Sequence, residues 1–381
     1  MTRRVFFYVQ HLLGVGHLFR AVRVAHGLKE AGFEVDLVMG GVPVADLDFD
    51  GLNVTQLLPL KAGPGGFSDL VTMTGESAGP EIRARRITEL LSAFARSRPD
   101  IILIEAFPFG RRQMRFELMP LLEAAHRRDP RPRVFSSVRD ILQESRQPQR
   151  VQGTIETLRR WFDGIIVHGD PSIVRLDETF PIPDDLKKIV FYSGMVGPPP
   201  LLSQRNSPSA AVVVSAGGGA VGRRLLETAI AAKPLTSLAS ERWLVLTGPN
   251  LADRDFNEIR KFGERNGITV RRFVPDLAAT LASAELSISQ AGYNTVADVL
   301  SARCRAVFVP FSEAGETEQA RRASLLQAHG FGVKLDEAAL SPASLAAAAE
   351  QALALPPPSL RIELNGAART GALLASLLAE T

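Results

Sequence analysis

SISQAGYNTVADVLSARCRAVFVPFSEAGETEQARRASLLQ, residues 287–327, is the stretch whose reading decides the fold. It completes a short apolar strand (Leu286, Ile288) that stops at the small-residue turn Gln290-Ala291-Gly292. A helix is expected next, because Val296, Val299 and Leu300 recur at helical spacing, with Asp298 among them. Arg305–Pro310 reads as a second strand, and a polar loop leads to another helix with Glu318 and Gln319 near its start. Strand, glycine turn, helix, strand is the grammar of a parallel sheet covered by helices. Glycine in such a turn lets backbone N–H groups approach a phosphate, and the helix start favours negative charge. A carboxylate one turn in, at Asp298, can accept two hydrogen bonds from a ribose diol, and a Glu-Gln pair can read sugar hydroxyls. Taken alone, the turn fits an ordinary α/β unit with solvated polar residues equally well.

The same grammar continues on both sides. Ala211–Ser215 is a strand, Ala216–Gly222 a loop holding Gly217, Gly218 and Gly219, and Arg223–Ala232 a helix. Trp243–Thr247 and Ile268–Phe273 read as strands and Leu277–Ser283 as a short helix. Alanine-rich Pro342–Leu355 is a helix, and Pro356-Pro357-Pro358 breaks the chain before a last amphipathic helix. In the first half, Val5–Val9 is a strand, His11–His17 a loop with Gly14 and Gly16, Leu18–Gly32 a helix and Glu34–Met39 a strand. Residues 42–80 lack a periodic pattern and are expected to form an irregular lid or acceptor-side segment. Pro80–Ser97, Gln113–His126 and Gln149–Phe162 read as helices, and Ile101–Glu105, Val134–Val138 and Gly164–Val167 as strands. The proline run at 198–200 sets the boundary: an N-terminal domain over 1–197, a linker over 198–207 and a C-terminal domain over 208–381, whose final helix could cross back. The fold class is α/β, two Rossmann-like parallel-sheet domains, with ligands expected beyond the strand C-termini.

Bulk properties narrow the function. At 381 residues the chain exceeds what one core usually serves, in agreement with two domains. No apolar run approaches the roughly 18 residues of a membrane span, and Val5–Val9 is too short for a signal-peptide core. The single cysteine, Cys304, excludes an internal disulfide and suits a reducing compartment, so a cytoplasmic location is expected. A net charge of +3 is too slight to argue for nucleic acid. Residues 81–150, however, hold 15 Lys and Arg against 9 Asp and Glu, whereas residues 1–80 hold 6 against 8. The basic stretch reads either as a solvated face or as a surface for an anionic acceptor or lipid head groups, with peripheral contact at the inner face of a membrane.

Three ordered pieces carry a resemblance: Ala291-Gly292-Tyr293-Asn294-Thr295-Val296-Ala297-Asp298, then Val309-Pro310-Phe311, then Glu318-Gln319-Ala320-Arg321-Arg322-Ala323. Together they resemble the nucleotide-sugar signature of glycosyltransferases related to the N-acetylglucosaminyltransferase of peptidoglycan synthesis. The resemblance implies the GT-B architecture and a nucleotide-sugar co-substrate, UDP-linked, with no cofactor. Residue by residue, it implies Gly217, Gly218 and Gly219 at the donor diphosphate, the Val274 backbone at the nucleobase, Gly292 and Asp298 at phosphate and ribose, and Glu318 and Gln319 at the sugar. It also implies Gly14 and Gly16 in an acceptor-side loop that ends at His17. Three positions depart from the family pattern: Ala291 stands where serine is commoner, Glu318 where other residues are frequent, and Arg322 where asparagine is usual. These departures leave the sugar open.

The first half supplies candidate acid–base groups. His17 at a helix start has its imidazolium disfavoured by the dipole, so a neutral ring could accept a proton from an attacking hydroxyl, position a ligand, or serve as a cap. Glu105 ends a buried strand and either orients the acceptor with His17 or pairs with Arg111 or Arg139. His11 lies outside the pattern and His168 reads as structural. Asp46-Leu47-Asp48 has the spacing of a metal-binding pair but falls in the irregular loop, and no Cys/His ligand spacing exists, so no metal is expected. The resemblance leaves open a nucleotide-sugar hydrolase, a UDP-sugar 2-epimerase and a non-catalytic nucleotide-sugar-binding protein beside the transferase.

Overall fold

The computed structural model describes residues 2–12, 14–44, 47–143, 147–198, 210–218, 221–312 and 316–379. Gly219, Asp46 and residues 199–207 of the expected linker lie outside them. The chain divides into two units: residues 1–171, 175–196 and 365–381, and residues 172–174 with 197–364.

The first unit contains β1 (Arg4–Val9), α1 (Gly16–Glu30), β2 (Glu34–Met39), β3 (Asn53–Gln56), β4 (Lys61–Gly63), β5 (Gly66–Val71), α2 (Pro80–Ser97), β6 (Ile101–Glu105), α3 (Arg115–Arg127), β7 (Arg133–Arg139), α4 (Pro148–Trp161), β8 (Gly164–His168), α5 (Asp184–Lys187) and β9 (Val190–Tyr192). Seven strands pair in the order β3-β2-β1-β6-β7-β8-β9, all parallel. Residue alternation in β1 shows why. Phe6 and Tyr8 join Ile102 and Ile104 in one core. Val5, Phe7 and Val9 join Ile101 and Leu103 in the core on the opposite face. A strand buried on both faces has to be apolar at nearly every position, as RVFFYV and IILIE are.

The second unit runs β10 (Val212–Ser215), α6 (Arg223–Ala232), β11 (Trp243–Leu246), α7 (Asp253–Arg265), β12 (Thr269–Arg271), α8 (Leu277–Ala282), β13 (Leu286–Ser289), α9 (Tyr293–Ala302), β14 (Arg305–Phe308), α10 (Glu318–Ala328), β15 (Val333–Lys334) and α11 (Pro342–Ala354). Its parallel sheet is ordered β12-β11-β10-β13-β14-β15. In each sheet the order reverses beside the first strand, between β1 and β6 and between β10 and β13. Open parallel sheets bind ligands at such reversals, outside the strand C-termini.

The final helix, α12 (Gly366–Ala379), belongs to the first unit. Leu374 and Leu377 enter the core beneath α1. Two glycines set the closeness of the crossing. A Cβ on Gly27 would lie 2.3 Å from the Ala367 carbonyl carbon, and one on Gly371 would lie 2.6 Å from the Gly27 oxygen.

Two regions differ from the expectation. Residues 42–80 are not irregular throughout: β3 extends the main sheet, and β4 and β5 form an antiparallel hairpin. The NVTQ strand is mostly exposed at the sheet edge, so it lacks the buried alternation that marks its neighbours. Helix α7 carries no expectation from sequence, because DRDFNEIRKFGER buries only Ile259 and Gly263 fully and its charged residues obscure the stripe.

Gly27→Ala should push α12 off α1 and destabilise the first unit by about 1–3 kcal/mol, the usual cost of overpacking. A urea midpoint unchanged from that of the parent protein would show that the helix does not seat there.

Candidate active site

At the reversal of the first sheet, β1 runs out through Gln10 and His11 into the loop that starts α1, and β6 ends at Glu105. This brings together His17, second residue of α1, and the Glu105 carboxylate: Nδ1 of His17 lies 3.0 Å from Oε1. The same Oε1 accepts a hydrogen bond from Nη2 of Arg20, one turn further along α1. The other oxygen, Oε2, accepts from Ser137 Oγ at 2.6 Å. Ser137 touches His168 Nε2 at 2.9 Å, and His168 Nδ1 meets Ser193 Oγ at 2.9 Å. Glu105 is thus fully buried with both oxygens held, and its ion-pair partner is Arg20 rather than Arg111 or Arg139. His168 is wholly buried in this network, a structural role as expected.

Electrostatics fix the protonation states. Burial alone would raise the Glu105 carboxyl, but the Arg20 guanidinium and the His17 ring outweigh it and hold it below the usual carboxylate range. An ionised carboxylate only accepts, which calls for a proton on Nδ1, whereas Arg20 Nη2, which only donates, lies 3.2 Å from the same nitrogen and calls for its lone pair. Burial, aided by the charge of Arg111, pushes the His17 ring down to about 3, so it is neutral at physiological pH. The ring keeps a fifth of its side-chain surface exposed. A neutral, partly open imidazole can accept a proton.

The second unit places its candidates around the β10/β13 reversal. Gly217 follows β10 at φ +71, a left-handed conformation that favours glycine, and its N–H lies 3.3 Å from Ser215 Oγ. Gly218 and Gly292 are different: a Cβ on either would meet nothing within 4 Å. Gly292 is the N-cap of α9 in ordinary extended geometry with no capping side chain. The fold itself therefore does not demand glycine at these two positions, and the bare backbone faces open space. Asp298 lies on α9 and is nearly buried. Val274 follows β12, and its amide and carbonyl enter no backbone hydrogen bond among the described residues.

Two donor-side expectations need correction. Glu318 does not offer a free carboxylate for sugar hydroxyls: it is 3 % exposed and accepts from Arg322 Nη2 at 2.7 Å. Arg322, missed as a functional residue, donates its other arm to the Ala291 carbonyl at 2.9 Å and lies over the Tyr293 ring. It therefore ties the start of α10 to the Gly292 turn, a role that the unusual arginine in the motif signalled only as a departure. Gln319 accepts from the Phe311 N–H at 3.2 Å through its amide oxygen. Arg223, at the start of α6, is committed to Glu227, Asp255 and Glu258. No three His, Cys, Asp or Glu side chains converge as metal ligands among the described residues. Cys304 is buried and its thiol is pushed up to about 12 by that burial, so it is inert.

Residues 212–361 match the glycosyltransferase family 28 C-terminal domain. The chain is a glycosyltransferase. Over 297 residues it is 24% identical to a UDP-N-acetylglucosamine--N-acetylmuramyl-(pentapeptide) pyrophosphoryl-undecaprenol N-acetylglucosamine transferase of Geotalea uraniireducens (strain Rf4), covering 73% of both chains. A like-named protein of Ralstonia nicotianae (strain ATCC BAA-1114 / GMI1000) is 40% identical over 74 residues, 19% of this chain and 20% of that one. The glycosyltransferase has the GT-B fold. It superposes on MurG of Acinetobacter baumannii with TM-score 0.58 at 16% identity over 100% of both chains. With the calicheamicin glycosyltransferase CalG4 the TM-score is 0.60 at 15% identity, covering 100% of this chain and 95% of that one.

Arg20→Met should leave Glu105 buried without its cation, destabilising the protein at neutral pH by about 3–5 kcal/mol. The folded carboxyl lies below its unfolded value, so in the parent this stability is present above the ordinary carboxylate range and fades as pH falls through it. Urea midpoints from pH 7.5 to pH 4 should show the gap between parent and variant closing on acidification; a gap constant with pH would remove the Arg20–Glu105 charge pair as its cause.

Proposed function

We propose that the glycosyltransferase moves a sugar from a UDP-linked donor to an acceptor hydroxyl, without a metal ion, with His17 as general base and Glu105 as its orienting partner. The observation that carries this reading is the His17–Glu105 contact at the first sheet's reversal, which supports a ring held by the carboxylate at Nδ1 with Nε2 as the proposed proton acceptor. That nitrogen would take the acceptor proton as the hydroxyl oxygen attacks the anomeric carbon and the bond to the nucleoside diphosphate breaks.

On the donor side, Gly218 and Gly292 offer bare N–H groups to the leaving diphosphate, with Gly217 shaping the loop, which is how a sheet reversal can stabilise developing charge without a cation. Asp298 takes the ribose diol, the Val274 backbone the uracil, and the Gln319 amide the sugar. Glu318 acts through Arg322 by holding this helix start against the Gly292 turn. Gly219 is proposed in the same diphosphate loop, and Gly14 and Gly16 on the acceptor side. The relatives named above carry UDP-N-acetylglucosamine in their names, which makes it the first donor to test. Their acceptor is a pyrophosphoryl-undecaprenol, so a lipid-linked acceptor at the inner face of the membrane is the matching proposal. No described helix is long and apolar enough to cross a membrane, so any membrane contact would be peripheral.

Asp298→Asn should weaken UDP binding by about 1–3 kcal/mol, measured by calorimetry, for hydrogen bonds to the diol left unmade. Equal UDP affinity would take Asp298 out of the site. His17→Ala should lower kcat by about 100-fold or more while UDP affinity holds. The assay follows transfer from UDP-N-acetylglucosamine to a membrane lipid extract in EDTA. Sugar release at the same rate without extract would replace transfer by hydrolysis, and loss of turnover in EDTA would overturn the metal-free reading.

A further inference from the structure

Behind Glu105 the first unit holds a row of buried polar side chains that no step of the proposed chemistry uses. Ser137 in β7, His168 at the end of β8 and Ser193 just past β9 are each at most 1% exposed. Strand register explains why they meet. Ser137 pairs with Glu105 across β6 and β7. His168 stands two residues beyond Ile166, the β8 partner of Ser137, so side-chain alternation puts Glu105, Ser137 and His168 on one face.

The carboxylate gives this row a direction. Glu105 is ionised and only accepts, so the single Ser137 proton goes to Oε2, at 2.6 Å. Ser137 Oγ then has only lone pairs left for His168 Nε2, 2.9 Å away, and Nε2 must carry a proton. Burial and the charge of Arg20 push the His168 ring down to about 3, so it is neutral and its Nδ1 is bare. Ser193 Oγ, 2.9 Å from Nδ1, is therefore the donor at the far end. Ser193 donates to His168, His168 to Ser137 and Ser137 to Glu105, all polarised the same way. With the proton on Nδ1 instead, Nε2 would claim the Ser137 hydroxyl and leave Oε2 buried without that donor.

We propose that Ser137 and His168 are positioning residues for the base: their one-way chain pins Oε2 of Glu105 from behind, so that Oε1 is the oxygen held against His17. This rests on the reading of His17 as the base and adds to it what fixes the carboxylate. Arg20 and His17 both sit at Oε1, which leaves the plane of the carboxylate to be set at Oε2. His168 touches no reacting atom in this account and acts only through Ser137 and Glu105. A carboxylate free to turn would let the imidazole drift, and a misplacement of about 1 Å can cost on the order of a hundredfold in rate.

The test uses the full-length protein with isotope-labelled histidine, six residues in all, and the His168 ring signals are those lost in His168→Gln. In the parent protein the His168 proton should be on Nε2, with Nδ1 bare. Glu105→Gln should move it to Nδ1. The new amide turns its oxygen to Arg20, which only donates, and its NH2 to Ser137, which then donates to Nε2. The Gly194 carbonyl, 3.1 Å from Ser193 Oγ, accepts the hydroxyl that this frees. A parent proton on Nδ1, or a proton that stays on Nε2 in folded Glu105→Gln, overturns the directed chain. Turnover is read with UDP-N-acetylglucosamine and the lipid extract. Ser137→Ala and His168→Leu should lower kcat about tenfold at unchanged UDP affinity. His168→Gln, which keeps a donor near the place of Nε2, should retain most of the parental kcat. Parental kcat in Ser137→Ala, or a loss of kcat matched by an equal loss of UDP affinity, overturns the positioning role. Full turnover in His17→Ala would instead sink the base reading and leave the tautomer result standing.

Discussion

A carboxylate buried at the end of a central strand is tolerable only where cations and hydrogen-bond donors already wait for it, and Glu105 is held on that condition. Isolated, its charge would cost several kcal/mol in the interior. Arg20 from α1, Ser137 from β7 and His17 from the first turn of α1 supply what water would have supplied. Each comes from a different element, so the pairing of β1, β6 and β7 and the seating of α1 must all be correct before the charge is satisfied. α12 packs closely beside α1, sharing its core, and restricts that seating further. Local catalytic geometry and global packing are therefore the same constraint at this point.

The second unit solves a similar problem in a different way. Glu318 and Arg322 are both nearly buried and lie one helical turn apart, so this pair forms within α10. What it gains is a spare arm: Arg322 reaches the Ala291 carbonyl, and the guanidinium becomes a strut between two helix starts. Bidentate geometry is what an arginine adds at a position where the related family usually has asparagine. The strut fixes the spacing between the Gly292 turn and the start of α10.

The alternation of strands and helices was legible because doubly buried strands such as Val5–Val9 and Ile101–Glu105 have no polar position to blur them. The sheet reversals followed from the same grammar. Exposed elements were not legible: β3 at the sheet edge and the charged helix α7 are stabilised by neighbours whose identity a local pattern does not contain. Among site residues, His17 and Glu105 stood out by type and position, yet the partner of Glu105 was not Arg111 or Arg139. Arg20 lies three residues beyond His17, a spacing that reads as helix surface until the helix is docked with that face inward. Glu318 failed for the complementary reason, since a carboxylate at a helix start reads as open to ligand whether or not an arginine four residues on has closed over it.

The depressed basicity of His17 deserves weighing against its proposed role. A base near 3 is a poor acceptor for a hydroxyl proton in the empty protein, because general-base efficiency falls as the pKa drops away from the working pH. Burial and the charges of Arg111 and Arg20 hold the ring there, while the Glu105 carboxylate acts in the opposite direction, so the carboxylate is the one neighbour that favours the proton His17 would have to take up.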